Sequence, residues 1–228
     1  MSATSVGTAP EAGGARYVPA ASRRSLTRIY DPIIALTMRE RVFRGRLEQQ
    51  VLAGLPPTGA TTVDVGAGTG TFAIALAAAA AGVETIGIDG DPEILALARA
   101  KPGADRVRWK EGLAQSLPLP DESADRVVIS LVLHHLEPLV KRAALKEARR
   151  VLRPGGRVHV ADFGRPRGLL PRVGFLLVRA GDGFAQTRDH AEGRLERLVE
   201  DAGFSDVSLH DRMRTGFGSL ELISATRA

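Results

Sequence analysis

The residues with the clearest capacity for chemistry are Val63-Asp64-Val65-Gly66-Ala67-Gly68-Thr69-Gly70, an apolar strand running into a loop with glycine at every second position. Glycines take positive φ and carry no Cβ, so such a loop lets a ligand approach main-chain atoms. Asp89 lies 19 residues beyond Gly70 and ends a second apolar run, Thr85-Ile86-Gly87-Ile88. A carboxylate at that strand tip can accept hydrogen bonds from both hydroxyls of a ribose, each contributing about 1.5–3 kcal/mol. Together the loop and the carboxylate indicate a nucleoside-containing ligand. The spacing departs from the dinucleotide-binding pattern, which would place its third glycine at Thr71 instead of Gly70.

A different chemistry sits at His134 and His135, which follow the apolar run Asp125 to Leu131. A histidine titrates near neutral pH and can take a proton from a hydroxyl, an amine or an activated carbon. A His-His pair at a strand-to-helix junction serves equally well as a packing or capping feature, and the residues alone leave both readings open. His159, inside an apolar strand, reads as a satisfied core residue. His190 lies beside a segment suited to substrate, and His210 gives no signal. With no cysteine in the chain, disulfides, thiolate metal sites and cysteine nucleophiles are excluded.

These residues need a scaffold, and its elements are legible. The strands are predicted at Thr61 to Val65, Glu84 to Ile88, Arg106 to Lys110, Asp125 to Leu131 and Arg157 to Asp162, the last after a Pro154-Gly155-Gly156 turn. Between them fall helices at about 71–81, 92–100 and 139–152, the second with Asp91 as N-cap and Pro92 in its first position. A helix at about 192–202 and two closing strands, Ser205 to His210 and Ser219 to Thr226, complete the pattern. Alternation of this kind predicts an α/β, doubly wound, Rossmann-like sheet of seven strands, mostly parallel with an antiparallel C-terminal hairpin, and ligands at the carboxyl ends of the strands. Residues 1–14 are expected to be disordered, 15–56 to form an N-terminal helical cap, and 57–228 to form the main domain, with an added lid or substrate segment at about 163–190.

Lys and Arg outnumber Asp and Glu by 31 to 26, a modest excess that leaves nucleic acid, anionic lipid and acidic ligands all open. No stretch approaches the roughly 18 apolar residues of a membrane span, and the opening residues lack the pattern of a signal peptide, so a cytoplasmic location is expected.

Taken together, VDVGAGTG, IGIDGDPEIL, LPLPDESADRVVISLVLHHL and VLRPGGRV resemble, in the same order, the landmarks of the class I S-adenosylmethionine (SAM) methyltransferases. Within that class the chain is similar to the ubiquinone and menaquinone biosynthesis C-methyltransferases. The resemblance covers roughly Tyr30 onward. It implies SAM as cofactor and S-adenosylhomocysteine as product. Gly66, Ala67, Gly68 and Gly70 would then face its methionine and ribose parts, Asp64 would fix the loop or the ammonium, and Asp89 would hold the ribose with Gly90 and Asp91 beside the adenosine. Leu113 and Ala114 would lie at the adenine, where the family usually carries an acidic residue in place of Leu113. Ser130 and Leu131 would line the methyl donor. Tyr30 and Arg44 would reach the methionine carboxylate from the cap. From their own chemistry and position, apart from the resemblance, His135 and then His134 are the candidates for catalytic base.

Methyl transfer from a sulfonium is an in-line displacement whose activation resides in the cofactor, so few polar catalytic groups are needed and no metal is expected. Ile129-Ser130-Leu131 is unlike the Asn/Asp-Pro-Pro-aromatic motif of DNA amino-methylating enzymes, which points to a small molecule. Apolar residues at helical spacing within 165–184 favour an apolar acceptor, quinone-like, aromatic or lipid, or contact with a membrane surface through flanking arginines. An NAD-dependent oxidoreductase, a non-catalytic SAM-binding protein and an RNA methyltransferase remain the alternatives; oligomeric state does not follow from the residues.

Overall fold

The computed structural model describes residues 40–228. Tyr30 and the rest of the expected cap before Glu40 lie outside the described residues. In chain order the structure contains α1 (Glu40–Leu52), β1 (Thr61–Val65), α2 (Thr71–Ala79), β2 (Glu84–Asp89), α3 (Pro92–Arg99), β3 (Val107–Glu111), β4 (Ala124–Ser130) and α4 (Pro138–Val151), followed by β5 (Leu152–Gly164). The remainder comprises α5 (Leu169–Asp182), α6 (Arg188–Glu192), α7 (Leu195–Asp201), β6 (Ser205–Thr215) and β7 (Gly218–Thr226).

The strands form one sheet in the order β3-β2-β1-β4-β5-β7-β6. β1 to β5 pair in parallel, and β7 enters antiparallel between β5 and β6. β1 and β4 are neighbours, so the strand order reverses there, the place where sheets of this type bind ligands at the carboxyl ends of their strands. Every residue of β1 is buried, as a central parallel strand covered on both faces requires.

One face of the sheet carries α1, whose Phe43, Leu47 and Val51 meet Phe72, Leu76, Val128, Phe163, Phe175 and Leu222. On the opposite face Leu145, Ala148 and Val151 of α4 and Leu195, Leu198 and Val199 of α7 close over Val63, Val127, Val158 and Ile223. The apolar period of each helix thus selects the face it buries. Asp91 caps α3 as its sequence predicts, accepting from the amides of Glu93 at 2.8 Å and Ile94 at 3.3 Å.

Three elements differ from expectation; β6, expected to end at His210, runs on to Thr215 against β7. β5 begins at Leu152 and runs through the predicted turn, because the Gly155 amide donates to Arg227 O and the Arg227 amide to Gly156 O, both at 2.8 Å, which holds the segment extended. The helix expected from 192 is instead α6 and α7, separated at Gly193, whose φ of 70° ends the first of them.

Gly87 carries no side chain because Trp109 of β3 lies across it; a Cβ would stand 2.5 Å from Trp109 Cζ3. The indole donates from Nε1 to Ala104 O at 3.0 Å, so it cannot retreat freely. Gly87→Ala should therefore destabilise the protein by about 1–3 kcal/mol, the usual cost of overpacking, read as a lower urea midpoint with an unchanged slope.

Candidate active site

The glycine loop is strapped to the tip of β2. Gly66 and Ala67 donate their amides to Ile88 O at 2.8 and 2.9 Å, and Gly68 donates its amide to Asp89 Oδ2 at 2.8 Å. The other oxygen, Asp89 Oδ1, accepts from the Asp91 amide at 3.0 Å across Gly90. Each carboxylate oxygen keeps acceptor capacity after one such bond. The three glycines have φ of 70°, 55° and 77°, which side chains rarely tolerate. They differ in what surrounds them. A Cβ on Gly66 would strike Val132 and one on Gly70 would strike Trp109, whereas a Cβ on Gly68 would meet nothing within 4 Å. Of the three, Gly68 borders open space, and the other two are required by packing.

Asp64, one residue before the end of β1, is buried, and its carboxyl is pushed up to about 7. Burial is the main cause; the Arg44 guanidinium opposes it, the neighbouring Asp89 charge adds to it, and the Ala73 amide opposes it. Arg44, on α1, pairs with Glu40, and its Nη1 is buried without a hydrogen-bond partner among the described residues. A carboxyl balanced between protonation states and a partnerless guanidinium nitrogen thus lie beneath the same loop.

Across the β1–β4 junction, β4 ends at Ser130, which is half-buried and in register with Ala161 of β5. Leu131 follows with φ of 57°, pinned by its amide to Ala161 O at 2.8 Å. A branched side chain in this left-handed conformation marks local strain, and such strain concentrates at functional sites. The chain then makes a short 3₁₀ turn over Leu133–His135. Because Val132 packs against Gly66, this turn abuts the glycine loop.

The turn is held by Asp162 near the end of β5, whose Oδ2 accepts from the amides of Leu133 at 2.8 Å and His134 at 3.4 Å. Its Oδ1 accepts from the Phe163 amide and from His134 Nδ1, both at 2.7 Å. Burial works against the charge of Asp162, but the His134 and His190 rings and these donors hold its carboxyl well below the ordinary range. His134 is therefore a buried, fixed ring that donates from Nδ1 and turns Nε2 toward Asp182, 3.8 Å away.

His135 is a third exposed, and its Nδ1 lies 3.1 Å from Asp182 Oδ1 at the end of α5. Burial pulls its pKa down, while the hydrogen bond and charge of Asp182, with the charge of Asp162, overcome this and leave it above the ordinary histidine value. The donor atoms of His134, His135 and Asp182 lie within 4.8 Å of one another, the one grouping among the described residues with the dimensions of a cation site.

His190, Lys141 and Asp189 continue the cluster. Lys141 is fully buried, its Nζ 3.3 Å from His190 Nδ1 and 3.4 Å from Asp189 Oδ2. Burial pushes the lysine down and takes His190 to about 3. Phe163 stands edge-on to His134 with centroids 4.9 Å apart and contacts Phe175 of α5 at 5.5 Å, so an aromatic wall closes this side.

The structure thus brings Asp64, Gly66, Ala67, Gly68, Gly70, Asp89, Gly90, Ser130, Leu131, His134, His135 and Arg44 to one end of the sheet. Leu113 and Ala114 adjoin it, since the Gly112 amide donates to Asp89 O at 3.0 Å, and Ala114 packs toward the core. Asp162, Asp182, Lys141 and the position of His190 were not foreseen. Asp162 carried a usable signal: like Asp89, it is an acidic residue near the end of an apolar strand. His159 lies in the core as expected, yet both of its ring nitrogens lack partners among the described residues, and burial drives its pKa to about 3. Leu169, Leu170, Val173, Leu176, Leu177 and Phe184 face solvent instead of the site, because Gly174, Phe175 and Val178 supply the inward face of α5.

Comparison with known proteins agrees with this geometry. Residues 63–160 match the model of the family described as "Methyltransferase domain". The chain is 34% identical over 197 residues to a malonyl-[acyl-carrier protein] O-methyltransferase of Methylococcus capsulatus, covering 84% of this chain and 67% of that one. It is 33% identical over 140 residues to the ubiquinone/menaquinone biosynthesis C-methyltransferase UbiE of Caulobacter sp. strain K31, covering 54% of this chain and 55% of the relative's length. Among solved structures, a Haemonchus contortus phosphoethanolamine N-methyltransferase 2 in complex with S-adenosyl-L-methionine superposes with a TM-score of 0.62 at 17% identity, over 81% of this chain and 52% of that one. A SAM-dependent methyltransferase from Methanosarcina mazei gives 0.61 at 24%, over 76% and 94%. The chain belongs to the class I SAM-dependent methyltransferases, and SAM is the cofactor of this class.

Burial of Asp64 has a consequence for the free protein. Its native carboxyl keeps a proton that the unfolded chain, with a pKa of 3.8, releases. Stability should therefore fall as pH rises from about 4 to about 7 and level off above that. Asp64→Asn should flatten this segment in urea titrations across that range.

Proposed function

We propose that the protein transfers the methyl group of SAM to a small, apolar acceptor of quinone-like, aromatic or lipid character, with His135 taking the acceptor's proton. The observation that carries the proposal is the abutment of the two halves of the site through Val132 and Gly66: a cofactor loop wired to Asp89 on one side, a histidine paired with a carboxylate on the other.

The residues present suit the cofactor. Gly68 leaves room beside its backbone, the spare acceptor capacity of Asp89 suits two ribose hydroxyls, and Nη1 of Arg44, buried without a partner among the described residues, suits a carboxylate. Asp64 suits an ammonium group, whose charge would draw its pKa back down. When bound, SAM supplies a methyl group already activated by a positively charged sulfur. The protein's part is to hold the donor, to exclude water with the Phe163–Phe175 wall, and to receive a proton.

His135 is placed for the last task because its ring is half-open while Asp182 orients it and favours the imidazolium it becomes. His134, buried and bound to Asp162, serves to fix the turn on which His135 sits. Support for a quinone-like acceptor comes from the UbiE C-methyltransferase, named for ubiquinone and menaquinone biosynthesis, while the malonyl-[acyl-carrier protein] O-methyltransferase is named for a short acyl group held on a carrier.

Calorimetry with SAM and S-adenosylhomocysteine tests the cofactor half. Both should bind, and Asp89→Ala should weaken each by at least about tenfold, the value of one lost charged hydrogen bond; failure of either ligand to bind the folded chain overturns the assignment. For the acceptor half, S-adenosylhomocysteine release is followed with small aromatic and quinone-like acceptors. Activity should rise with pH through the titration of His135. Asp182→Asn removes the group that raises that pKa, so the acidic limb should move to lower pH, and His135→Gln should abolish the limb. An acidic limb unchanged in both variants would exclude the histidine as base.

A further inference from the structure

The outward face of α5 has no partner among the described residues, and its composition specifies one. Among the described residues nine large apolar side chains stand exposed, and six of them belong to this helix and the residues just beyond it: Leu169, Leu170, Val173, Leu176, Leu177 and Phe184, 52–83% exposed. Within the helix the spacing of Leu169, Leu170, Val173, Leu176 and Leu177 puts them on a single stripe, opposite the inward face formed by Gly174 and Phe175, and Phe184 follows just past the helix end at Gly183. Contiguous exposed apolar surface of this kind marks an interaction site.

Charge identifies what it meets. Between residues 165 and 184 the chain carries Arg165, Arg167, Arg172 and Arg179 and a single acidic residue, Asp182. That acid is turned inward onto His135, and Arg179 lies over the Phe184 ring, 4.6 Å from its centroid. An apolar stripe rimmed by arginine and free of outward acid matches a surface that is greasy within and anionic at its boundary. At 14 residues the helix is about 21 Å long, too short to cross a bilayer but suited to lying in its interface. Pairing two copies antiparallel through the stripe would instead set their arginine flanks side by side.

We propose that α5 docks the protein on an anionic lipid bilayer, with Leu169, Leu170, Val173, Leu176, Leu177 and Phe184 entering the headgroup boundary and Arg165, Arg167 and Arg172 contacting lipid phosphates. This stands independently of the acceptor's identity.

The test is flotation of the full chain with vesicles of phosphatidylcholine alone and of phosphatidylcholine mixed with phosphatidylglycerol. The native chain should float with the mixed vesicles and not with the neutral ones. Raised NaCl should reduce binding, since exposed charge pairs are screened. The double variant Leu170→Glu, Leu177→Glu should bind at least about tenfold more weakly, as expected from the cost of moving two glutamates into that boundary. SAM-induced thermal stabilisation of the variant, unchanged from native, shows that the fold is intact. Equal recovery of native chain and variant overturns the proposal, as does equal binding to both vesicle types. A concentration-dependent dimer that the variant abolishes, without vesicle binding, would assign the face to a second copy instead.

Discussion

The carboxylate of Asp162 is the point from which the acceptor half of the site is organised. One side chain, fully buried near the end of β5, accepts amides from the neighbouring turn and from its own strand and fixes a histidine ring. A lone buried carboxylate would be costly, and its donors are what make it tolerable. Since β4 and β5 pair directly, anchoring the turn after β4 to a residue of β5 sets the height of the turn above the sheet. Asp89 does the same on the other side of β1, collecting the amides of Gly68 and Asp91. Two carboxylates at strand tips therefore hold the two loops that face each other across the topological switch.

Ionisable groups are concentrated at the carboxyl end of the sheet, although Arg126 and His159 are also buried elsewhere along the strands. Along the strands, Val63, Ile86, Val127, Val158 and Ile223 are sealed under helices, whereas the carboxyl ends carry Asp64, Asp89, Asp162, Lys141 and three histidines. Buried ionisable groups of this density are arranged in opposing pairs, Asp64 with Arg44 and Lys141 with Asp189. Their perturbed protonation follows from competition between burial and these partners.

Much of this was legible in the sequence, and the divisions are physical. The glycine loop, Asp89, the Asp91 cap and the apolar strands are local patterns, set by backbone conformation or by a period of two to four residues, and the structure matches them. The resemblance of the ordered landmarks to a known class carried the cofactor. What could not be read depends on distance along the chain. His135 and Asp182 meet only because α5 folds back over the sheet, and β5 extends through a Pro-Gly-Gly turn only because Arg227 pairs with it. The spacing of α5 revealed a helix with an apolar stripe, but not which way it pointed. Gly174 decides this: its bare Cα allows the helix to approach Gly216 O, to which a Cβ would come within 2.1 Å, so Phe175 goes in and the leucines go out.

The placement of β7 bears on how the molecule is made. It is the final strand in chain order, yet it sits inside the sheet, hydrogen-bonded to β5 on one side and β6 on the other. During synthesis the β7 side of β5, which includes Val158, Val160 and Phe163, therefore stays unpaired until the other six strands of this sheet have been made. An open apolar edge is a template for pairing with another chain. The interval before β7 arrives is when the β5 edge is open to pairing with another chain.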